Sequence, residues 1–241
     1  MEDIKKRPAA QCPLESRAFL VRHRFRDLDE LAQVARAWDI DFRRVDRGPF
    51  EGDVIQMGSE RVQLGRARLR GSVHQTGSTP AGYRTLAIPA TRDIRLFWRG
   101  HEIGPDQIMV FPHSRELDSA SHPDFDMLTV SVTQDDLDRA AERAGLPSLD
   151  DCLAGREVVS CDGERLSRTR RWFCQVLQNA PEAEPAITPE HTARLLMQLV
   201  ASSPSVTAPT ARAMSQSSDA SRGRSRDSAV RLALDVIARL E

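Results

Sequence analysis

No run of about 18 consecutive apolar residues occurs in the 241-residue chain, so no membrane-spanning helix is expected. The N-terminus, Met-Glu-Asp-Ile-Lys-Lys-Arg-Pro, is charged and lacks the apolar segment of a secretory signal. A cytoplasmic protein is therefore expected. Charge of one sign is missing as well: 34 Lys and Arg stand against 35 Asp and Glu, a net charge of −1. Nucleic-acid binding wants a basic face, and the overall balance does not supply one. Cysteine is scarce. Cys12, Cys152, Cys161 and Cys174 form no C-x-x-C pair, which points to free, mostly buried thiols in a reducing compartment.

Several catalytic signatures are also absent. The six histidines, His23, His74, His101, His113, His122 and His191, include no His-x-His pair. The nearest approaches to a metal site, His101 with Glu102 and His113 with Glu116, offer too few ligands without distant help. No Gly-x-Ser-x-Gly elbow and no phosphate-cradling glycine loop occurs. No catalytic residue, metal or cofactor is expected.

What the chain does have is short strands between turn residues. Runs at 84–88, 94–99 and 107–111 are cut by Pro89, Gly100, Gly104-Pro105 and Pro112, the spacing of an antiparallel sandwich or barrel. Upstream, Phe19–Phe25, Ile40–Val45, Phe50–Met57 and Arg61–Leu69 also read as strands, as does Asp126–Val132 downstream. Within Arg61–Leu69 the apolar positions switch from Val62 and Leu64 to Ala67 and Leu69, and the glycine at the switch, Gly65, suggests a bulge. Residues 113–126 read as a surface loop rich in Ser, Asp and His. About eight or nine strands in all suffice to close a barrel or a jelly roll. One helix interrupts them: Asp27 with Glu30 resembles a capping box, and Leu28, Leu31, Ala32, Ala35 and Trp38 share its apolar face.

Beyond the strands the pattern becomes helical. Thr133 caps a helix over Gln134–Ala144 that stops at Gly145. A longer helix covers 165–180, and another starts at Thr188 with Pro189 in its first position. Together the last two make a hairpin with Leu166, Phe173, Val176 and Leu177 on one arm and Leu195, Leu196 and Leu199 on the other. A hairpin this apolar needs a cover, and a second copy of the chain would provide it. The expected fold class is α+β, mainly β: a cupin-like jelly-roll antiparallel barrel followed by a helical hairpin. Its parts are a flexible arm (1–18), the barrel with its helix (19–148), the dimerisation hairpin (149–201), a disordered linker (202–225) and a lone amphipathic helix (226–241).

This order resembles the bacterial AraC/XylS family of transcription regulators. The resemblance is carried by the helix ending in Trp38-Asp-Ile, by Arg47-Gly-Pro-Phe-Glu-Gly, by Val62-Gln-Leu-Gly-Arg-Ala-Arg, and by Trp98-Arg-Gly-His-Glu-Ile with Val110-Phe-Pro. It implies an effector-sensing and dimerising N-terminal domain, a linker, and a DNA-binding domain of two helix-turn-helix units. Residues 226–241 match only the first helix of that last domain, so DNA would be read through a domain missing from this chain. The implied partners are a small-molecule effector and a second copy of the chain, with no membrane.

An effector inside the barrel would meet residues on or beside the strands. His74, Tyr83, Trp98, Arg99 and His113 are the lining candidates, each with a local core or rim role as its alternative. Arg66, Arg68 and Arg70 share one face of a strand. They suit either a bound anion, gripped in bidentate fashion, or the wet outer surface. Two other readings remain open: a cupin-type metal-dependent enzyme, and a truncated regulator that acts by pairing with a full-length relative.

Overall fold

The computed structural model describes residues 18–34, 38–92, 96–98, 101–111, 117–121, 125–180 and 187–203. The expected arm up to residue 17, nearly all of the linker, the helix at 226–241, Arg99 and His113 lie outside the described residues.

Two antiparallel sheets carry the fold. The first contains, in spatial order, β1 (Phe19–Phe25), β3 (Glu51–Gly58), β4 (Val62–Arg70), β11 (Phe125–Thr133), β6 (Tyr83–Pro89), β9 (Gln107–Val110) and β12 (Val158–Ser160). The second runs β2 (Asp39–Arg44), β5 (Val73–Ser78), β10 (Leu117–Ser121), β7 (Leu96–Trp98) and β8 (His101–Glu102). The helices are α1 (Leu28–Val34), α2 (Gln134–Ala144), α3 (Leu149–Leu153), α4 (Gly163–Gln178) and α5 (Pro189–Ala201). The mainly β, antiparallel architecture with helices read from the sequence is the one observed. It is a sandwich of two sheets, however, and among the described residues no ladder closes them into a ring.

Local signals set the helix ends. Asp27 Oδ1 accepts the Glu30 backbone N–H at 2.8 Å while Glu30 reaches back to the Arg26 N–H at 2.8 Å, a pair of mutual caps on α1. Gly145 ends α2 in the left-handed conformation, and Thr188 caps α5 with Pro189 in the first turn. The start of α4 lies earlier than the sequence pattern indicated, because Asp162 accepts the Arg165 N–H at 2.8 Å and sets the first turn from there.

Three expectations are corrected by the packing. The first is the bulge at Gly65: β4 pairs with β3 on one side and β11 on the other in an unbroken register from Val62 to Leu69. The apolar face changes along β4 because both faces of the sheet are covered. Val62 and Leu64 join a core with the helices, and Leu69 joins a core between the sheets. The second is the loop at 113–126. Leu117–Ser121 is a strand, β10, held between β5 and β7. Its sequence, Leu-Asp-Ser-Ala-Ser, has weak β preference, and pairing on both edges supplies what propensity does not.

The third concerns the hairpin. Leu166, Phe173, Val176, Leu177, Leu196 and Leu199 are all buried within this one chain, with Leu195 half-buried. They pack with Leu86, Ile88, Leu128 and Val130 on the outer face of the first sheet, joined by Leu137 of α2. The cover that the hairpin needs is thus the protein's own sheet. Two cations, the buried Arg170 and the exposed Arg22, fasten the layer: Arg170 donates to the carbonyls of Pro89 at 2.6 Å and Pro105 at 2.8 Å. Arg22 on β1 donates to the Leu177 and Gln178 carbonyls at the end of α4, at 3.2 and 3.3 Å.

At the edge of the second sheet β2 comes too close to β5 for any side chain at Gly77. Its φ is +145°, and a Cβ there would strike the Asp39 carbonyl oxygen. Gly77→Ala is expected to cost more than about 1 kcal/mol, read as a lower midpoint in a urea titration. The same change at Gly48, which faces open space, should leave the midpoint almost unmoved.

Candidate functional site

Between the sheets lies a cavity of about 130 Å³, its walls mostly apolar. The residues come from alternate positions of facing strands. From the first sheet, Gln56, Gly65, Thr129, Ala87 and Met109 form one lateral row, since Gln56 pairs with Gly65, Gly65 with Thr129, Thr129 with Ala87 and Ala87 with Met109. From the second, Phe42 pairs with Gln75, Gln75 with Ser119 and Ser119 with Trp98, and all four line the cavity. Directly opposed residues in an antiparallel pair project to the same face, so each row presents its side chains together. Gly65 widens the space, for a Cβ there would come within 2.9 Å of the Thr129 hydroxyl.

One end is aromatic. Phe111 meets the edge of Trp98 at 4.8 Å between centroids and that of Trp38 at 5.5 Å. Leu31 and Val34 of α1 add to the same wall. The helix therefore lies on the sandwich, with Trp38 beside it, as its amphipathic pattern implied.

Two polar atoms in this wall are unsatisfied. Trp98 is 2% exposed and its Nε1 has no hydrogen-bond partner; Ser119 is 3% exposed and its Oγ has none either. A buried polar group without a partner costs about 1–3 kcal/mol. Both residues line the cavity, but the two atoms themselves have almost no accessible surface and sit behind its wall.

Of the residues singled out from sequence, Trp98 is at this site and Arg66 is among the lining residues. The arginine row is not a converged anion site. Arg66, Arg68 and Arg70 do share a face, but it is the outer one, and each has its own carboxylate. Arg66 grips Asp126 through two bonds of 2.7 and 2.6 Å, Arg68 meets Asp53 at 2.8 Å and Arg70 meets Glu51 at 3.0 Å. The Asp126 partner raises the Arg66 pKa further, against the opposing effect of burial. His74 also faces away from the cavity, its Nε2 2.8 Å from Asp118. Tyr83 donates its hydroxyl to the Glu60 carbonyl, remote from the cavity lining, and burial raises its pKa.

Gln75, Ser119, Gln56 and Thr129 were not singled out from sequence. Gln56 and Thr129 sit on expected strands, where their alternation was the available signal. Ser119 lay in the segment taken for a loop. The thiols are reticent: burial pushes Cys161 up to about 11 and raises Cys152 and Cys174 as well, which leaves them protonated and poorly nucleophilic. Among the described residues, no group of three or more His, Cys, Asp or Glu is arranged to hold a metal ion. Also among them, no helix is long and apolar enough to cross a membrane.

No protein-family model matches the sequence, and no curated protein matches it. Solved structures do resemble the fold. The AraC-like transcriptional activator CuxR aligns with a TM-score of 0.54 at 14% identity, over 78% of this chain and 73% of that one. A deletion mutant of Bacillus subtilis oxalate decarboxylase aligns over 50% of this chain and 41% of its own, with a TM-score of 0.25 and 12% identity. The same enzyme at pH 4.6 gives a TM-score of 0.26 and 12% identity over 48% and 40%. In fold, then, this chain is similar to an AraC-like transcriptional activator.

Proposed function

We propose that this chain is the effector-sensing part of an AraC-like transcription regulator, with the cavity between the sheets as its effector site. The observation that carries the proposal is the mostly apolar cavity between the sheets, with Trp38, Trp98 and Phe111 at one end. Its setting is a fold similar to that of a transcriptional activator. DNA would be contacted through a helix-turn-helix domain outside residues 18–203, as the sequence resemblance implies.

The role is one of binding, without catalysis. The described lining residues include no His, Cys, Asp or Glu, so the hydroxyls of Ser119 and Thr129 have no general base among them to activate them. Self-association belongs to the proposal too, but on surfaces other than Leu166, Phe173, Val176, Leu177, Leu196 and Leu199, which the chain's own sheet covers. An effector acts by favouring one arrangement of the protein over another. Here the natural lever is α1 with Trp38, since both touch the cavity and neither belongs to a sheet.

A thermal-shift screen of a small-molecule library tests this on the wild-type chain and on Ala67→Leu. Ala67 lines the cavity, so the added methylenes occupy the effector's space at an overpacking cost of about 1–3 kcal/mol. At least one compound should raise the wild-type Tm and leave that of Ala67→Leu unchanged. A library with no such compound, or compounds that stabilise both proteins equally, would remove the cavity from the function.

A further inference from the structure

The first sheet is left open along β1. Among the described residues no strand pairs with its outer side. The other edge strands carry guards against further pairing. β12 has three residues and β8 two, and β2 bears exposed Asp39, Asp41, Arg43 and Arg44. β1 has seven residues in unbroken register with β3, with no proline and no bulge. Near its start, Leu20 is 42% and Val21 40% exposed, and these two are the exposed large hydrophobic residues of the described chain.

Both residues end rows that begin inside the molecule. On the helix-covered face Leu20 is opposed to Met57, Met57 to Leu64, Leu64 to Val130, Val130 to Leu86 and Leu86 to Val110. Every member after Leu20 is buried in the core shared with the helices. An apolar row across six strands therefore stops on a leucine in water. On the inner face Val21 is opposed to Gln56, where the cavity's row begins. Ala180 and Ile187 join Phe19, Leu20 and Met57 around a groove at this edge. The occupant that suits such an edge is a strand whose own apolar row continues the interrupted one.

A second copy of β1 is such a strand. Directly opposed residues in an antiparallel pair project to the same face, so two copies related by a two-fold axis pair about one central residue. About Leu20, each Leu20 meets its copy while Phe19 and Val21 meet each other. All three apolar residues are then opposed to apolar ones, and the buried row runs on from one sheet into the next. About Arg22, the two arginines are opposed and Leu20 falls against Arg24; about Val21, each Leu20 falls against Arg22. Like charges directly opposite are destabilising, so the cations that follow Val21 select the register about Leu20. An acidic strand is a poorer match, because Arg22 is engaged with the Leu177 and Gln178 carbonyls.

We propose that two copies of the chain join edge to edge through β1, antiparallel and centred on Leu20, so that their first sheets become one. The step rests on the self-association included in the proposed function and gives it a surface. That surface lies one strand from the cavity wall, since β3 carries both Met57 and Gln56.

Sedimentation velocity of the full chain over a concentration series tests this, with oxidative crosslinking to read the register. The wild type should dimerise reversibly. Leu20→Lys should raise the dissociation constant at least about tenfold, since it removes two apolar side chains from the joint and opposes two ammonium groups at the axis. Its urea midpoint should stay close to that of the wild type, because the position is exposed. Residues opposed at the axis have Cα atoms about 4.5–5.5 Å apart, within the span of a disulfide. Leu20→Cys should therefore give, on mild oxidation, a dimer that peptide mapping shows linked through position 20. Positions 21 of the two copies are diagonal neighbours about 7–8 Å apart, at the limit of a disulfide, so Val21→Cys should not link through that position. A dimer linked through position 21 as readily, or not at all through position 20, would overturn the pairing. Wild-type affinity in Leu20→Lys would place the contact elsewhere, overturning the joint and keeping self-association. A wild type that stays monomeric throughout would overturn both. None of these results touches the cavity, which the Ala67→Leu comparison tests separately.

Discussion

Asp136→Ala is expected to cost about 1.5–3 kcal/mol of stability, the range for losing hydrogen bonds to a charged group, since the arginines left behind are half-exposed. The Asp136 carboxylate has no exposed side-chain surface and sits in the first turn of α2. It accepts from Arg61 Nε at 3.0 Å, from Arg139 Nη2 at 2.6 Å and from the Thr133 hydroxyl at 2.6 Å, with a further contact to Arg61 Nη2. Arg61 also reaches Glu190 of α5 at 3.0 Å. One carboxylate thus joins the start of β4, the N-terminus of α2 and the helix packed on it.

The same cluster predicts a pH dependence. Burial by itself would raise the Asp136 pKa, but the bonds from Arg61, Thr133 and Arg139 outweigh it and hold the value at about 2. A folded-state pKa below the unfolded value means that the unfolded chain binds the proton first. The stabilisation is complete above about pH 4 and disappears as the pH falls through about 2, with a total on the order of 2 kcal/mol. Urea titrations at neutral and at acid pH should show this loss in the wild type and a flatter profile in Asp136→Asn. Parallel profiles for the two proteins would exclude Asp136 as the source.

Leu199→Asp should prevent folding or cost at least about 4 kcal/mol, because it places an unpaired carboxylate in the layer between helices and sheet. Leu195→Asp, at a half-buried position on the same helix, should fall within about 0.5–3 kcal/mol. An intersubunit role makes the opposite prediction: both variants would stay folded and sediment as smaller species. Urea unfolding together with sedimentation velocity separates the two cases. The contrast follows from the sheet's second apolar face. Leu86, Ile88, Leu128 and Val130 need a cover as much as the helices do, and at roughly 25 cal/mol per Å² each satisfies the other without a second chain.

Much of the architecture was legible before any coordinates. The strand runs at 84–88 and 107–111, the caps at Asp27 and Thr188, and the stop at Gly145 all appear where the sequence put them, whereas Thr133 holds the first position before α2 without a side-chain cap and gives its hydroxyl to Asp136. The site was legible only in part. Trp98 was a lining candidate because it lies on an expected strand. The arginines at 66, 68 and 70 were correctly placed on one face, yet nothing local says which face looks inward. Their partners Asp126, Asp53 and Glu51 come from neighbouring strands and are invisible to a reading along β4. Ser119 was lost with its strand, since a weakly β-forming segment reveals itself only through the neighbours that pair with it.

What the sequence alone determined was where elements begin and end and which periodicity each follows, since caps, glycine stops and alternation act over a few adjacent residues. The tertiary structure decided which faces are covered, and therefore that Leu64 and Leu69 of one strand serve two different cores. It also brought Gln75, Trp98 and Ser119 into one row across three strands. Register between distant segments is a property of the whole packing, and the cavity between the sheets exists only once that register is set.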